Sequence, residues 1–310
     1  MSFTSTVKNE ASKIEAAPIE KIAELSAIIA SIGNISQNIK IVTENASVAR
    51  RIFSLVKDLY DINSKVTVRK GYNFTKNYLY ILEINYKVNS ILNDLSIYDN
   101  KLKLDAPKDY VTDDEELVRA YLRGIFLAIG SINDPKTSRY HLEFLLENSN
   151  YAKFILELLN KFELNSKIIK RENKFMIYVK EAEKIGDFLR IINANQAVLY
   201  YEDIRIYRDH KNMINRLNNC EQSNVDKIIA TAMDQVNDIE KINKVDAMDL
   251  FDDKIKEVCF YRLKYQEASL QELSEIITIE TGKPITKSGL HHRFNKIKLF
   301  AEKIRKSEIK

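Results

Sequence analysis

The sequence predicts an α+β N-terminal part, built from two copies of one αββαββα unit across a pseudo-two-fold axis, followed by an all-α C-terminal part. Three observations carry this. A segment of the first copy recurs about a hundred residues later. Two apolar helices rich in small residues, one in each copy, end at a glycine. All of the net positive charge lies in the last tenth of the chain, within a set of short amphipathic helices.

Composition sets the bounds. A chain of 310 residues holds two or three domains. With 45% hydrophobic and 30% charged residues it can bury a core, which excludes a wholly disordered chain. Seven glycines and four prolines exclude collagen-like and low-complexity classes. No window approaches the roughly 18 apolar residues of a membrane span. The start, Met1 to Lys8, has no apolar signal core, so secretion is not expected and a cytoplasmic location is. Cys220 and Cys259 stand 39 positions apart, which rules out a disulfide scaffold or a four-ligand zinc site.

In the first copy, Leu25 to Ile35 is apolar on more than one face and reads as a buried helix that stops at Gly33. A strand follows at Lys40 to Val42, then an amphipathic helix from Ala46 to Leu59. Ile62 to Arg69 is the repeated segment, and Tyr78 to Ile84 alternates Tyr, Leu and Ile as a half-buried strand does. The second copy repeats the order. Asp113 or Asp114 caps its first helix, and Leu122 to Ile132 parallels Leu25 to Ile35 through Gly130. Tyr140 to Leu145 is a strand and Ser149 to Phe162 a helix. Leu164 to Arg171 matches Ile62 to Arg69, and Lys174 to Val179 is the last strand. Asp99 to Asp109, with Pro107, joins the copies. Small residues (Ala27, Ala30, Ser31, Gly33; Gly124, Ala128, Gly130) allow the two glycine-ended helices to pack closely at the pseudo-dyad.

After the second copy, Gln196 to Arg216 and Val225 to Lys241 read as two long linking helices. Asp253 to Tyr265 opens a three-helix set. Ser269 and Glu272 form a capping box for the second helix, which Thr281-Gly282-Lys283-Pro284 breaks. Thr286 caps the third, from Lys287 through Ile297. Leu290, Phe294, Ile297 and Phe300 share its apolar back, and Lys287, Ser288, His291, His292, Arg293 and Lys296 its front. From Lys283 to Lys310 nine basic residues face two acids, a net +7, while residues 1–282 carry −3. This is helix-turn-helix grammar with a lengthened turn. Its third helix is either a DNA-reading helix or a basic amphipathic helix packed in an ordinary bundle. In the first case Arg293 suits guanine, Lys287 and Lys296 phosphate or guanine, and Ser288 phosphate. The two histidines can stack or hydrogen-bond. With the caps Ser269 and Thr286 these residues form the candidate DNA-binding set.

The glycine-ended helices resemble the paired signature helices of LAGLIDADG homing endonucleases. The stretch Arg119 to Pro135 is closer still to the WhiA family, in which a degenerate LAGLIDADG scaffold precedes a helix-turn-helix. Ser2-Phe3-Thr4-Ser5, Val42 to Arg51 and Asn215 to Glu221 share the resemblance, as do Lys287-Ser288-Gly289 and His292-Arg293. It runs over essentially the whole chain. One departure is Ala16-Ala17-Pro18-Ile19-Glu20, where many members carry adjacent cysteines, so nothing about metal binding transfers there.

In a LAGLIDADG nuclease an acid precedes the glycine of each signature helix, and the two carboxylates hold divalent metal. Here those positions are Ile32 and Ile129, which offer no oxygen ligand. Glu24 and Asp134 are nearby acids off those positions. No catalytic residue, metal or cofactor is therefore expected, and His141, His210, His291 and His292 share no ligand-type spacing. The expected domains are 1–97 and 98–195 as the two LAGLIDADG-like halves, 196–245 as a helical linker and 246–310 as the helix-turn-helix domain. The resemblance implies a sequence-specific transcriptional regulator of cell division, and of sporulation in some bacteria. It would be a nucleoid-associated monomer, partnered by double-stranded DNA and by another transcription factor or RNA polymerase, and not by membrane. The alternative is a scaffold protein of the division or chromosome-segregation machinery that holds DNA loosely.

Overall fold

The computed structural model describes residues 2–70, 78–99, 102–137 and 139–308. Asn100 and Lys101 of the connector and Lys310 of the basic segment lie outside them. The chain divides into two compact units, residues 1–209 and 210–310.

The first unit opens with α1 (Phe3–Ala11), capped by Ser2. Its first copy is α2 (Pro18–Ile32), β1 (Asn34–Ile35), β2 (Ile39–Thr43), α3 (Ala46–Tyr60), β3 (Lys65–Lys70), β4 (Tyr78–Ile84) and α4 (Val88–Asp94). A small hairpin of β5 (Tyr98–Asp99) and β6 (Leu102–Lys103) and a single 3-10 turn lead to the second copy. That copy is α5 (Glu115–Ile129), β7 (Gly130–Ile132), β8 (Leu142–Leu146), α6 (Ser149–Lys161), β9 (Lys167–Arg171), β10 (Lys174–Val179) and α7 (Ala182–Ile191). The two sheets have the same antiparallel order, β1-β2-β4-β3 and β7-β8-β10-β9. The helix and strand order predicted for each copy is thus the observed one. β7 begins at Gly130 itself, because both glycines leave the helix with extended backbone rather than a left-handed turn.

The helices form where the sequence stops the chain from doing otherwise. Proline at the first position starts α2, where its missing N–H costs nothing. Asn45 and Asn148 cap α3 and α6 through the same Oδ1, each accepting from two backbone N–H groups. Asp114 caps α5 by accepting from Leu117 N at 2.8 Å. The core lies between α2 and α5 and the inward sheet faces, where Ile28, Ile41, Leu122, Ile125, Phe144 and Ile177 are fully buried. At the crossing of α2 and α5 a Cβ on Gly124 would overlap the Glu24 carbonyl oxygen and press on Ala27. Only glycine lets the two backbones come this close.

α8 (Asn195–Lys244) begins in the first unit, and its later turns belong to the second. Glu10 caps its start: the carboxylate accepts from Gln196 N at 2.7 Å and Ala197 N at 2.9 Å. This corrects the prediction of two helices. Leu217 to Asn224, read as a break, contains neither Gly nor Pro. Each Asn, Ser or Cys there costs less than about 0.7 kcal/mol of helix propensity, too little to end a helix already nucleated on both sides.

The second unit continues with α9 (Asp253–Lys264), α10 (Leu270–Thr281) and α11 (Lys287–Glu308). Its own core gathers Ile239 and Ile242 from α8 with Val258, Cys259, Leu273, Ile277, Leu290, Phe294, Ile297 and Ala301. α11 runs eleven residues beyond Ile297, the predicted limit, because Phe300, Ala301 and Ile304 keep its apolar side against that core.

Candidate nucleic-acid interface

Local chemistry sets the three helices. Asp252 caps α9 by accepting from Ile255 N at 2.8 Å. The capping box of α10 is complete: Ser269 Oγ accepts from Glu272 N, and Glu272 Oε2 accepts from Ser269 N at 2.7 Å. Those bonds hold the Glu272 carboxyl below the usual range. Gly282, at φ 69°, ends α10 in the left-handed conformation that glycine tolerates. Thr286 Oγ1 then accepts from Gly289 N at 3.1 Å and starts α11.

α11 buries Leu290, Phe294, Ile297 and Ala301 and turns the opposite face to solvent. The structure brings Lys287, Ser288, His291, His292 and Lys296 together on that exposed side. Ser269 and Thr286 are occupied as caps, so their hydroxyls position helices. Arg293 lies on the flank, half-buried, and its guanidinium donates to the Lys254 carbonyl of α9 at 3.3 Å. Two exposed residues of this face were missed, Asn295 and Leu299. Asn295 sits seven residues after Ser288 and three after His292, a spacing that marks one helix face. Its Nδ2 lies 3.1 Å from His291 Nε2.

Arg262 stiffens the support. It is 1% exposed, and one of its Nη atoms donates to the carbonyls of Tyr265, Gln266 and Ala268. Its Cζ lies 5.4 Å from the Phe294 ring centroid, beneath α11. Burial without a carboxylate partner pushes its pKa down to about 10. The guanidinium thus ties the α9–α10 turn to the back of the exposed helix.

At the glycine ends of α2 and α5 the first unit carries a cleft of about 580 Å³. Ile32, Gly33 and Ile129 line it with Ser31, Asn34, Lys103 and Lys174, and Glu147, the one acid among the described lining residues, pairs with Lys174 at 3.3 Å. Glu24 is fully buried, held by Arg51 and Arg123. Asp134 accepts from Lys136 N in its own turn. Among the described residues no cluster of three His, Cys, Asp or Glu side chains could hold a metal ion. No helix among them is long and apolar enough to cross a membrane.

Three family models match the chain: the WhiA N-terminal LAGLIDADG-like domain over residues 18–98, the WhiA LAGLIDADG-like domain over 118–211 and the WhiA C-terminal HTH domain over 214–301. A curated relative from Staphylococcus aureus, the "Probable cell division protein WhiA", is 42% identical over 99% of both chains. The crystal structure of full-length DUF199/WhiA from Thermatoga maritima covers 98% of this chain and 99% of its own, with TM-score 0.57 and 23% identity. That of the N-terminal LAGLIDADG domain of DUF199/WhiA covers 62% of this chain and 90% of its own, with TM-score 0.51 and 25% identity. The fold is therefore a duplicated LAGLIDADG-like unit followed by a helix-turn-helix region.

Proposed function

The chain belongs to the WhiA family, and from that premise we propose that it is a sequence-specific DNA-binding regulator of transcription acting in cell division, built on a nuclease scaffold that no longer cuts. The observation that carries this reading is α11. Its apolar back is locked into a small core, and its front presents Lys287, Ser288, His291, His292 and Lys296 to solvent. A helix of this kind enters the major groove with its exposed side chains at base edges and phosphates. We assign Lys296 to phosphate and His292 to a base edge, with Ser288 donating to phosphate beside the helix N-terminus. Arg293 supports α11 from its flank. The isoleucines at positions 32 and 129 remove the oxygen ligands that phosphodiester hydrolysis needs, so the first unit is a scaffold.

Chromatin immunoprecipitation supplies the site: sharp, motif-bearing peaks are expected. On that site, His292→Ala should cost about 1–3 kcal/mol while binding to random DNA stays unchanged. Lys296→Ala should weaken both and reduce the salt slope by about one. Diffuse genome coverage, with both folded variants binding like the parent chain, would replace this reading with a scaffold protein that holds DNA loosely.

A further inference from the structure

Asn295, on the front of α11, is neither a cation nor part of a cap. At 3.6 residues per turn Ser288, His292 and Asn295 fall within about 60° of one another. They lie nearly opposite the buried line of Leu290, Phe294, Ile297 and Ala301. With His291 they also keep the i, i+3, i+4, i+7 spacing with which a groove helix meets successive bases. Asparagine is a poor helix former, and a surface that met only water would be better served by Lys or Glu. The Asn295 amide is held. Its Nδ2 lies 3.1 Å from Nε2 of His291, one turn back. With Nδ2 donating, His291 carries its ring proton on Nδ1. That bond uses one of the two Nδ2 hydrogens. The other hydrogen stays free beside Oδ1, which accepts no hydrogen bond among the described residues.

A donor beside an acceptor is the complement of adenine in the major groove, where N7 accepts and the N6 amine donates. The other bases fit half of it. Guanine presents two acceptors there, thymine an acceptor and a methyl group, and cytosine a donor, so each meets only one of the two amide groups. We propose that Asn295 reads an adenine, with Oδ1 accepting from N6 and Nδ2 donating to N7, and that His291 is the positioning residue that sets the amide. The assignment rests on α11 entering the major groove and names one base of its site. His291 matters because an amide turned by 180° would set donor against donor and acceptor against acceptor. The bond to His291 Nε2 keeps the nitrogen on the side that adenine N7 requires.

The test selects duplexes from a random-sequence library with the purified full chain. It then measures affinity for the selected site by fluorescence anisotropy, with the helicity of every variant checked by circular dichroism. The parent chain should select a motif containing an adenine at a position where Asn295→Ala accepts any base. There, 7-deazaadenine, which lacks the N7 acceptor, should weaken the parent chain at least about fivefold and make no difference to Asn295→Ala. His291→Ala should lose part of the discrimination at that base pair and at no other, and His291→Gln, which keeps an acceptor, should restore it. A folded Asn295→Ala that selects the parent motif unchanged overturns the proposal, as does a 7-deazaadenine penalty equal in parent and variant. If His292→Ala relaxes the motif in the same experiment, α11 still reads DNA and only the adenine assignment falls. A parent chain that selects no motif overturns both. A His291→Ala that weakens every position equally overturns the positioning role.

Discussion

The two units bury an arginine in opposite ways. In the first, Arg123 is paired: Glu24, itself without exposed surface, accepts from Arg123 Nε at 3.0 Å and from Arg51 Nε and Nη2 at 2.7 and 2.8 Å. In the second, Arg262 has no carboxylate partner among the described residues and rests on three carbonyls and an aromatic face. The first arrangement joins α2, α3 and α5, residues up to 99 apart, at the close crossing that Gly124 permits. The second closes one turn between neighbouring helices. A buried charge in the scaffold thus holds distant segments together, and one in the helix-turn-helix region sets local geometry behind an exposed helix. Breaking the first should be felt across three elements, and disturbing the second only around α9 and α11.

The largest effect is expected at Glu24. Glu24→Ala takes the shared counter-charge from the buried Arg123 and the part-buried Arg51, leaving Arg123 only Glu20 at 3.9 Å, and should cost about 3–5 kcal/mol. Hydrogen exchange should speed up in α2, α3 and α5 while α9 to α11 stay protected. Loss of protection confined to α2, or a cost below about 1 kcal/mol, would show that apolar packing alone joins the copies. The matching experiment in the second unit is Phe294→Ala, which opens a cavity under Arg262 and should cost roughly 3 kcal/mol, the lower end for a buried Phe because the guanidinium can settle into the space. Its exchange signature should be the reverse of the first. A common signature for both variants would erase the distinction between them.

The same contrast explains what could be read before the structure was known. Each copy's order followed from period and from its glycine end, because these are local properties. Ser269 with Glu272, the pair Asp113 or Asp114, and Thr286 were legible as caps for the same reason. Glu24 was visible only as an acid near the signature helix; its pairing depends on how α2 and α5 are rotated about their axes, which spacing along one helix does not encode. Arg262 left a signal that was passed over. With Ile255, Val258 and Cys259 it completes an i, i+3, i+4, i+7 stripe, so an arginine holds a core position. Arg293 was placed on the front of α11 by its charge, yet Phe294 and Leu290 fix the helix rotation so that position 293 faces the flank and Lys254. The continuity of α8 was missed because polar composition was taken as a break, when helices end at Gly, Pro or a cap.

The smallest effect expected concerns a third kind of buried cation. Lys8 on α1 lies partly buried in the first unit, its ammonium 5.8 Å from the Phe126 ring centroid, and burial lowers its pKa to about 8. The folded value lies below the 10.5 of the free side chain. Below pH 8 the ammonium is charged in both states, and folding bears the full desolvation cost. Between pH 8 and 10.5 the folded chain releases a proton that the unfolded chain keeps, so this site's contribution to stability rises with pH. Lys8→Met keeps the aliphatic length without the charge. It should stabilise the chain at pH 7 by about 1–2 kcal/mol, the shift discounted for partial exposure. Urea denaturation of both proteins at pH 7 and pH 10 measures the difference, which should shrink toward zero at the higher pH. A less stable variant at pH 7 would mean that the ring face compensates the ammonium fully. Lys8 would then be a cation satisfied without a counter-charge, as Arg262 is by its carbonyls and the Phe294 ring.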